Sequence, residues 1–283
     1  MGGRFGPAGN PDSFYAAGHK KSLEMPAYLQ KQGLNAYEYQ CSRGVRISQG
    51  MAEELGALAE QHQITLSIHA PYYINLATPD PKIMESSKGH ILKSLEAARW
   101  MGAKVVVFHP GGVAKMTRAE GMERARRLLT EIMEEVQQRG FGDIYLAPET
   151  MGKQNQLGNL TEVLELCQLD KQLIPCVDFG HLHCLSQGGF DEESAFAQAL
   201  DEIEQTMGEP GSFPLHMHYS PMEYTKAGEK RHMTLLDEGY GPNFAPLGKL
   251  LAQRGYDFTL VCESAGRQSE DALEYQMMYR RWL

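Results

Sequence analysis

The sequence predicts an α/β fold, a (β/α)8 TIM barrel in which residues 1–283 form a single domain. Short apolar runs alternate with amphipathic stretches along the chain, and the alternation repeats eight times. The runs are dense in Val, Ile and Tyr without regular polar positions, which is typical of parallel strands buried on both faces. The length of 283 residues also suits this fold, which typically takes about 250 residues.

The eight predicted strands are short and regularly placed. In chain order they span residues 3–7, 34–39, 64–69, 104–109, 144–149, 174–178, 214–219 and 258–263. Two longer connections, 71–82 and 220–244, follow strand ends and are predicted to be loops. They would overhang the carboxyl-terminal rim of the barrel, where barrel enzymes keep their substrate contacts.

Helices are predicted between the strands because apolar residues recur three and four positions apart. The clearest sets are Met51, Leu55, Leu58 and Ala59; Ile91, Leu92, Leu95, Ala98 and Met101; Ala125, Leu128, Leu129, Ile132 and Val136; and Ala272, Leu273, Met277 and Met278. Thr117-x-x-Glu120 precedes the third set and predicts a capping box at the start of that helix.

Composition limits the cellular setting and the partners. The chain is 42% hydrophobic with a mean hydropathy of -0.41, no run approaches the roughly 18 apolar residues of a membrane span, and MGGRFGPAG is not an apolar signal segment. The cysteines are odd in number and lack CxxC pairs, which favours reduced thiols; they are Cys41, Cys167, Cys176, Cys184 and Cys262. We expect a cytoplasmic protein with no membrane partner and no obligate protein partner.

Residues of metal-binding type stand at the ends of successive predicted strands. Strands three to eight end on His69, His109, Glu149, Asp178, His218 and Glu263, and His181 follows Asp178 by three positions. The second strand carries Glu38 near its end. Nitrogen and oxygen donors of this kind suit zinc or a similar divalent transition metal. Because parallel strands end at one rim, the pattern predicts a metal cluster there.

Each candidate also has a structural interpretation. A lone histidine at a strand end is commonly a hydrogen-bonded core residue, Glu149 and Glu263 suit salt bridges at the rim, and Asp178 with His181 suits a helix cap followed by a surface histidine. Their joint occurrence favours metal, since a carboxylate that ends an apolar strand is costly to bury unless it is paired or bound to an ion.

The remaining histidines divide by context. His216 and His218 are two apart, so on a strand they face the same side; we expect His218 to be the ligand and His216 to lie one layer deeper. His183 and His232 fall in predicted loops, and His232 can return to the cluster with Glu229 as a companion. Histidines in helical or loop contexts are expected at the surface: His19, His62 and His90.

The formal net charge of -9 argues mildly against a nucleic-acid partner, because binding to a phosphate backbone is normally cationic. Bound divalent ions would nevertheless make the mouth of the site locally positive. Basic residues in predicted loops are candidates for lining that mouth, or for an ordinary solvated surface: Arg43, Arg46, Lys226, Lys230 and Arg231.

The segment from His69 through Tyr72 and Tyr73 to Leu76, HAPYYINL, resembles the ligand and recognition-loop sequence of the endonuclease IV family of apurinic/apyrimidinic endonucleases. HPGG at His109, ETMG at Glu149, Asp178-x-x-His181, His218 and CE at Glu263 match later motifs of that family in order. The resemblance covers most of the chain. It implies a zinc-dependent TIM-barrel hydrolase that cleaves the phosphodiester 5′ to an abasic site in double-stranded DNA during repair.

The resemblance also implies a division of the ligands among two or three zinc ions, with manganese as an alternative metal. His69 and His109 would hold the first ion and Glu149, the catalytic carboxylate, would bridge it to a second, which is completed by Asp178, His218 and Glu263. His181 and His232 would hold a third.

Two features of the family pattern concern the periphery of the site. The family has an Asp two positions before the last histidine, whereas this chain has Lys230, so Glu229 would have to substitute for it. Tyr72 and Tyr73, with Arg43 and Arg46, are the predicted substrate-binding residues. One of the two tyrosines is expected to pack beneath its loop.

Two other functions compete with this one. A sugar isomerase or epimerase of the xylose-isomerase-like superfamily needs one metal, and Glu149, Asp178, His218 and Glu263 satisfy that set alone, with two carboxylates as acid and base. His69 and His109 favour the nuclease, because a one-metal isomerase has less need of them. The third possibility is a non-catalytic, metal-stabilised binding protein, which predicts a saturated site without access.

Overall fold

The computed structural model describes residues 2–283, in which eight parallel strands close into a barrel. The strands are β1 (Arg4–Pro7), β2 (Ala36–Gln40), β3 (Thr65–His69), β4 (Val105–Phe108), β5 (Tyr145–Pro148), β6 (Cys176–Asp178), β7 (Leu215–Tyr219), β8 (Met222–Thr225), β9 (Gly228–His232) and β10 (Phe258–Cys262). β8 and β9 form an antiparallel hairpin, and the other eight strands form the barrel.

The barrel strands follow one another in chain order. β2-β3-β4-β5 form one parallel sheet, and β6-β7-β10-β1 form the other. Parallel bridges between Ala8 and Glu38 and between Glu149 and Cys176 join the two sheets. Gly6 makes the first junction possible, since a Cβ at this position would lie 1.7 Å from the carbonyl oxygen of Ala36.

Helices surround the barrel, and six of the ten that the structure describes begin at a residue whose side chain caps the first turn. They are α1 (Asp12–Ala16), α2 (Met25–Gln32), α3 (Gln49–Gln61), α4 (Pro81–Met101), α5 (Arg118–Gln138), α6 (Leu160–Cys167), α7 (Phe179–Leu185), α8 (Glu193–Met207), α9 (Phe244–Arg254) and α10 (Gln268–Arg280). The predicted capping box of Thr117 and Glu120 is present at α5. None of the helices within residues 2–283 has the length and apolarity needed to cross a membrane.

The apolar residues form two groups on opposite sides of the strands. The larger group fills the space between strands and helices. The smaller one, Val105, Val107, Ala147, Ile174 and Cys176, lies on alternate strand positions. His109 and Glu149 continue the same alternation by two residues, so they lie on the same side as this smaller group, toward the barrel axis.

The predicted barrel is therefore present, with two local corrections. Residues 220–244 were expected to form a loop, but they contain the β8–β9 hairpin. His183 was assigned to a loop, but it lies in α7 and is buried. This helix is short and follows β6 directly, which leaves too little amphipathic sequence for its period to be recognised.

Candidate metal centre

The carboxyl ends of six barrel strands bring the six predicted strand-end ligands to one rim. His69 and His218 lie within β3 and β7, Asp178 is the last residue of β6, and the others directly follow their strands: His109, Glu149 and Glu263. Four of the six are buried almost completely. The rim is the end of the barrel at which TIM-barrel enzymes place their catalytic groups.

Glu149 lies at the centre of this group and is fully buried. Its Oε2 atom is 3.0 Å from His69 Nε2 and 3.1 Å from His109 Nε2, and its Oε1 atom is 3.3 Å from His218 Nδ1. The two oxygens of one carboxylate thus face two different sets of donors. This is the geometry required of a ligand that bridges two metal ions.

Two donor sets share Glu149. In the set of His69, His109 and Glu149, and in the set of Glu149, Asp178, His218 and Glu263, the donor atoms all lie within 4.8 Å of one another. Zinc binds nitrogen and oxygen donors at about 2.0–2.2 Å. Each set can therefore converge on one ion after small side-chain adjustments.

Asp178 serves the helix and the rim with different oxygens. Its Oδ1 atom accepts a hydrogen bond from the His181 backbone N–H at 2.8 Å and caps α7. Its buried Oδ2 atom has no hydrogen-bond partner among residues 2–283. The interpretation of Asp178 as a helix cap was therefore correct, but His181 is buried rather than a surface histidine.

Backbone carbonyls hold the Nδ1 atoms of two histidines and direct their Nε2 atoms at the rim. Nδ1 of His69 donates to the carbonyl oxygen of Ala70 at 2.8 Å, and Nδ1 of His181 donates to that of Thr150 at 2.9 Å. Because a carbonyl can only accept, these bonds place the proton on Nδ1 and leave Nε2 unprotonated in the neutral ring. Nε2 of His181 is buried without a hydrogen bond among the described residues. Such unsatisfied polar atoms are costly, and they fit a bound metal.

A third donor set lies beside the first two. His181, His232 and Glu263 place their donor atoms within 4.8 Å of one another. Glu229 adds a carboxylate oxygen 3.5 Å from His181 Nε2. Lys230 does not face this set, because its Nζ bonds Glu223 at 2.6 Å.

A β-bulge explains why Glu229 rather than Lys230 faces the site. In the hairpin, Glu223 pairs with Arg231 and Tyr224 pairs with Glu229, so Lys230 is the extra residue. One extra residue reverses the alternation of side chains along a strand. Glu229 and His232, three apart, consequently share one side.

Opposite charges shift the pKa values at the centre. Burial alone would raise the pKa of Glu149, but the imidazoles of His218 and His109 hold it well below its usual range. Burial alone would lower the pKa of His69, but Glu149 raises it to about 9. In the metal-free protein, protonated rings therefore compensate the buried carboxylate. Metal ions would take the place of these protons.

Glu38 and His216 also lie at the centre; Glu38 was noted as a residue of metal-binding type near the end of the second predicted strand, but it was assigned to no metal ion. Glu38 is fully buried, and its Oε2 atom is 3.0 Å from His216 Nε2. The signal for Glu38 in the sequence is a carboxylate inside the apolar run NAYEY. His216 lies one layer below His218, as expected from their spacing.

The predicted substrate-binding residues lie at the mouth. A cleft of about 340 Å³ is lined by Tyr72, Lys153 and several of the ligands, His69 and His109 among them. Tyr72 and Tyr73 are 53% and 47% exposed, with ring centroids 4.3 Å apart. The expectation that one tyrosine packs beneath the loop is therefore wrong, because the two rings pack on each other instead.

The basic residues of the predicted loops divide into two groups. Arg43 and Arg46 are exposed and lie close enough to Tyr73 to act on its phenol electrostatically. Lys230 and Arg231 both donate hydrogen bonds to the carboxylate of Glu223 on the outer side of the hairpin. The unforeseen cation at the cleft is Lys153, whose Nζ is 4.0 Å from Glu229 Oε1.

Comparison with known proteins gives relatives of two kinds. The chain is 32% identical over 260 residues to an uncharacterized protein of Methanocaldococcus jannaschii, a match that covers 92% of this chain and 91% of that protein. It is 28% identical over 191 residues to a probable endonuclease 4 of Staphylococcus carnosus, covering 65% of this chain and 60% of that protein.

Solved structures share the barrel at low identity. Endonuclease IV from Thermus thermophilus matches with a TM-score of 0.71 and 20% identity, covering 99% of this chain and 98% of that chain. A D-tagatose 3-epimerase-like protein matches with a TM-score of 0.70 and 20% identity, covering 88% and 89%. At these identities the structural matches show the fold alone.

The family is shown by the sequence. The resemblance to endonuclease IV inferred from the motifs is confirmed at low identity by the Staphylococcus relative. The family model described as xylose isomerase-like TIM barrel matches residues 26–281, and the chain belongs to that family.

Proposed function

We propose that this protein is a metal-dependent phosphodiesterase that cleaves double-stranded DNA 5′ to abasic sites. The observation that carries the proposal is the position of His69 and His109 on Glu149 Oε2, opposite the set that contains His218. One metal needs only that second set. Two further imidazoles on the same carboxylate support a second ion, and paired ions suit phosphodiester hydrolysis.

The proposed metal is zinc, in two or three ions, with manganese as the alternative. Zinc bound there would supply Lewis acidity toward phosphate oxygens and a hydrolytic water ionised near neutral pH. Glu149 would hold the two ions at a fixed separation. His69, His109, Asp178, His218 and Glu263 would complete the first two sites, and His181, His232 and Glu229 would hold the third.

The mouth of the cleft supports a nucleic-acid substrate. Tyr72 and Tyr73 present exposed rings beside the ligands, and an aromatic ring can stack in the gap left by a missing base. Arg43, Arg46 and Lys153 supply positive charge for backbone phosphates. The net charge of -9 is that of the whole chain and does not prevent this local positive surface.

Access to the rim argues against a purely structural metal site. The side chains of His109, His232 and Glu263 are 23%, 26% and 16% exposed, so a substrate can reach the donor sets from the cleft. The five cysteines are all buried and unpaired, which supports the proposal of a cytoplasmic protein that acts in DNA repair.

The test is cleavage of an end-labelled duplex that contains one tetrahydrofuran abasic analogue, by protein loaded with zinc or with manganese. We expect a single nick 5′ to the analogue and no cleavage of the undamaged duplex. His109→Ala should abolish the nick, whereas His62→Ala should leave it unchanged, because His62 is a partly exposed residue that bonds Gln30. Intact abasic duplex in every metal condition would refute the proposal.

A one-metal sugar epimerase is the second candidate. The observation that favours it is the completeness of the set Glu149, Asp178, His218 and Glu263, whose donors converge without His69 or His109. Conversion of a ketohexose panel with manganese measures this activity. An epimerase should retain activity in His109→Ala, and the proposed nuclease should not.

A further inference from the structure

Glu38 lies one layer below the ligands inside the barrel. The register pairs Gln40 with His69 and Glu38 with Ser67, and it pairs Asp178 with His218 and Cys176 with His216. Glu38, Ser67, Cys176 and His216 therefore form a layer directly beneath His69, Asp178 and His218. TIM barrels usually fill this space with Val, Ile and Leu, so three polar side chains and a thiol here require an explanation.

The carboxylate of Glu38 is surrounded by donors. Oε2 accepts from Ser67 Oγ at 2.9 Å and lies 3.0 Å from His216 Nε2. Oε1 accepts from Gln40 Nε2 at 3.2 Å and lies 3.1 Å from His218 Nε2. A buried carboxylate with this many donors is held ionised and in one orientation.

His218 connects Glu38 to the metal rim through its two ring nitrogens. Nε2 faces Glu38, whereas Nδ1 lies 3.3 Å from Glu149 Oε1 and 3.6 Å from Glu263 Oε2. The ring is fully buried. Nδ1 makes a hydrogen bond to Glu149 Oε1, whereas Nε2 lies close to Glu38 Oε1 but outside hydrogen-bond geometry among residues 2–283. A metal bound at Nδ1 would displace the proton there. Since an ionised carboxylate can only accept, the proton that remains on the neutral ring would then be on Nε2, facing Glu38.

This arrangement is the reverse of that at the other buried ligands. In His69 and His181 a backbone carbonyl holds Nδ1–H and Nε2 faces the rim. His218 points Nδ1 at the rim, and the group that faces its Nε2 is the side chain of Glu38. A substitution at Glu38 therefore acts on one ligand of one donor set.

We propose that Glu38 is a positioning residue that fixes the ring of His218, with Nε2 protonated and Nδ1 directed at the metal held with Asp178 and Glu263. His216 and Ser67 hold the carboxylate of Glu38 in place. The inference rests on the metal centre of the proposed function and does not depend on the substrate.

The rival partner for His218 Nε2 is Cys176, whose sulfur lies in a buried group with His216 and His218. A thiol is a weak acceptor. Partners that orient a metal-bound histidine contribute about 10- to 100-fold to metal affinity. Glu38 and Cys176 can therefore be separated by metal binding.

The first test uses the unsubstituted, zinc-loaded protein with ¹⁵N-labelled histidine. Long-range ¹H–¹⁵N spectra distinguish zinc ligation through Nδ1 from ligation through Nε2. We expect His218 to bind zinc through Nδ1 and to keep a slowly exchanging Nε2–H, with His69 ligating through Nε2. Ligation of His218 through Nε2, or a freely exchanging Nε2–H, would overturn the proposal even if the variants below fail to fold.

The second test is zinc titration against a chelating indicator for three variants. Glu38→Gln should weaken one zinc equivalent by about 10- to 100-fold. Cys176→Ala should leave zinc affinity unchanged. Glu204→Gln is the matched control for loss of a hydrogen-bonded carboxylate, since Glu204 bonds Arg254 and Tyr256 far from the rim, and it should also bind zinc normally.

The outcomes separate this inference from the proposed function. Unchanged zinc affinity in Glu38→Gln, or an equal loss in Cys176→Ala, would overturn the positioning role. Failure to cleave abasic DNA with zinc affinity as expected would overturn only the nuclease. A parent protein that binds no zinc would overturn both.

Discussion

At the scale of single residues, the buried carboxylate of the metal centre is compensated by groups that can be replaced by a metal ion. Glu149 has no exposure and is surrounded by imidazoles rather than by lysine or arginine. A lysine or arginine would hold its charge permanently. An imidazole can give up its proton when an ion arrives. Because imidazoles surround Glu149, metal binding at this centre is coupled to the release of protons from the histidines.

The first prediction concerns that proton release. Glu149 raises the pKa of His69 to about 9, so the metal-free protein carries this proton at pH 7.5, whereas a metal requires the neutral ring. A raised pKa means that the His69 proton opposes zinc binding until the pH passes about 9, and the contribution of His69 to the pH dependence ends above that value. Below that pH the one proton costs about tenfold in affinity per pH unit. His181 and His218, whose pKa values are also raised by neighbouring acidic groups, add to the dependence. Isothermal titration calorimetry of zinc binding, in two buffers of different ionisation enthalpy, measures the protons released.

At least one proton per chain should be released at pH 7.5, and fewer at pH 10. Release near zero at pH 7.5 would contradict the charged state assigned to His69. Zinc binding that is independent of pH between 6.5 and 9 would contradict it as well.

The second prediction concerns the exposed tyrosine pair. Removing both rings, in Tyr72→Ala with Tyr73→Ala, should weaken binding of a duplex with an abasic analogue by about 1–3 kcal/mol for each ring that stacks. Replacing both by Phe should retain most of the affinity. Fluorescence anisotropy with calcium in place of zinc measures binding without cleavage. Trp282→Ala, which removes an exposed aromatic ring at the C-terminus, should bind as tightly as the parent; equal loss there would show a non-specific effect.

At the scale of elements, the features that follow from the periodicity of apolar residues could be predicted from the sequence. The features that depend on strand pairing and on contacts distant in the chain could not. The barrel strands were located because each is a buried apolar run, and the ligands because they end those runs. The β8–β9 hairpin was missed since GEKRH is short and polar, without strand alternation. The proposed role of Glu38 could not be predicted because it depends on contacts with His216, 178 positions away, and with His218. No local pattern encodes such a contact.

The third prediction concerns the bulge in this hairpin. Because Lys230 is the extra residue and points outward to Glu223, Lys230→Asp should not strengthen a third metal site, although the substitution restores the residue type of the endonuclease IV pattern. Glu229→Gln should weaken the third, weakest zinc equivalent, because it removes a carboxylate charge beside His181. Zinc stoichiometry by elemental analysis after graded dialysis measures both. A third equivalent gained in Lys230→Asp would show that the bulge is absent in solution.

At the scale of the whole molecule, the ligands come together at the rim only because the strands close into a barrel. Six strands contribute one ligand each, and β2 contributes Glu38 from below, so the donor sets depend on strands far apart in the chain. The two four-stranded sheets meet at β1–β2 through one isolated bridge and at β5–β6 through two, Leu146–Leu173 and Glu149–Cys176. Opening either junction would separate Glu38 from His218 or Glu149 from Asp178. Closure of the barrel and assembly of the metal centre are therefore coupled.

The fourth prediction tests this coupling at Gly6. A Cβ at Gly6 would lie 1.7 Å from the carbonyl oxygen of Ala36, and the neighbour is backbone, so β1 must move away from β2. Gly6→Ala should lower the free energy of unfolding by about 1–3 kcal/mol or more and weaken zinc binding, although residue 6 is no ligand. Gly89→Ala is the matched control in the interior of α4, where a Cβ meets no atom within 4 Å; it should raise stability by roughly 0.5–1 kcal/mol with zinc affinity unchanged. Urea unfolding and zinc titration on the same samples give both quantities. If Gly6→Ala lost stability but bound zinc as tightly as the parent, the rim would assemble independently of the β1–β2 junction, and the coupling would be wrong.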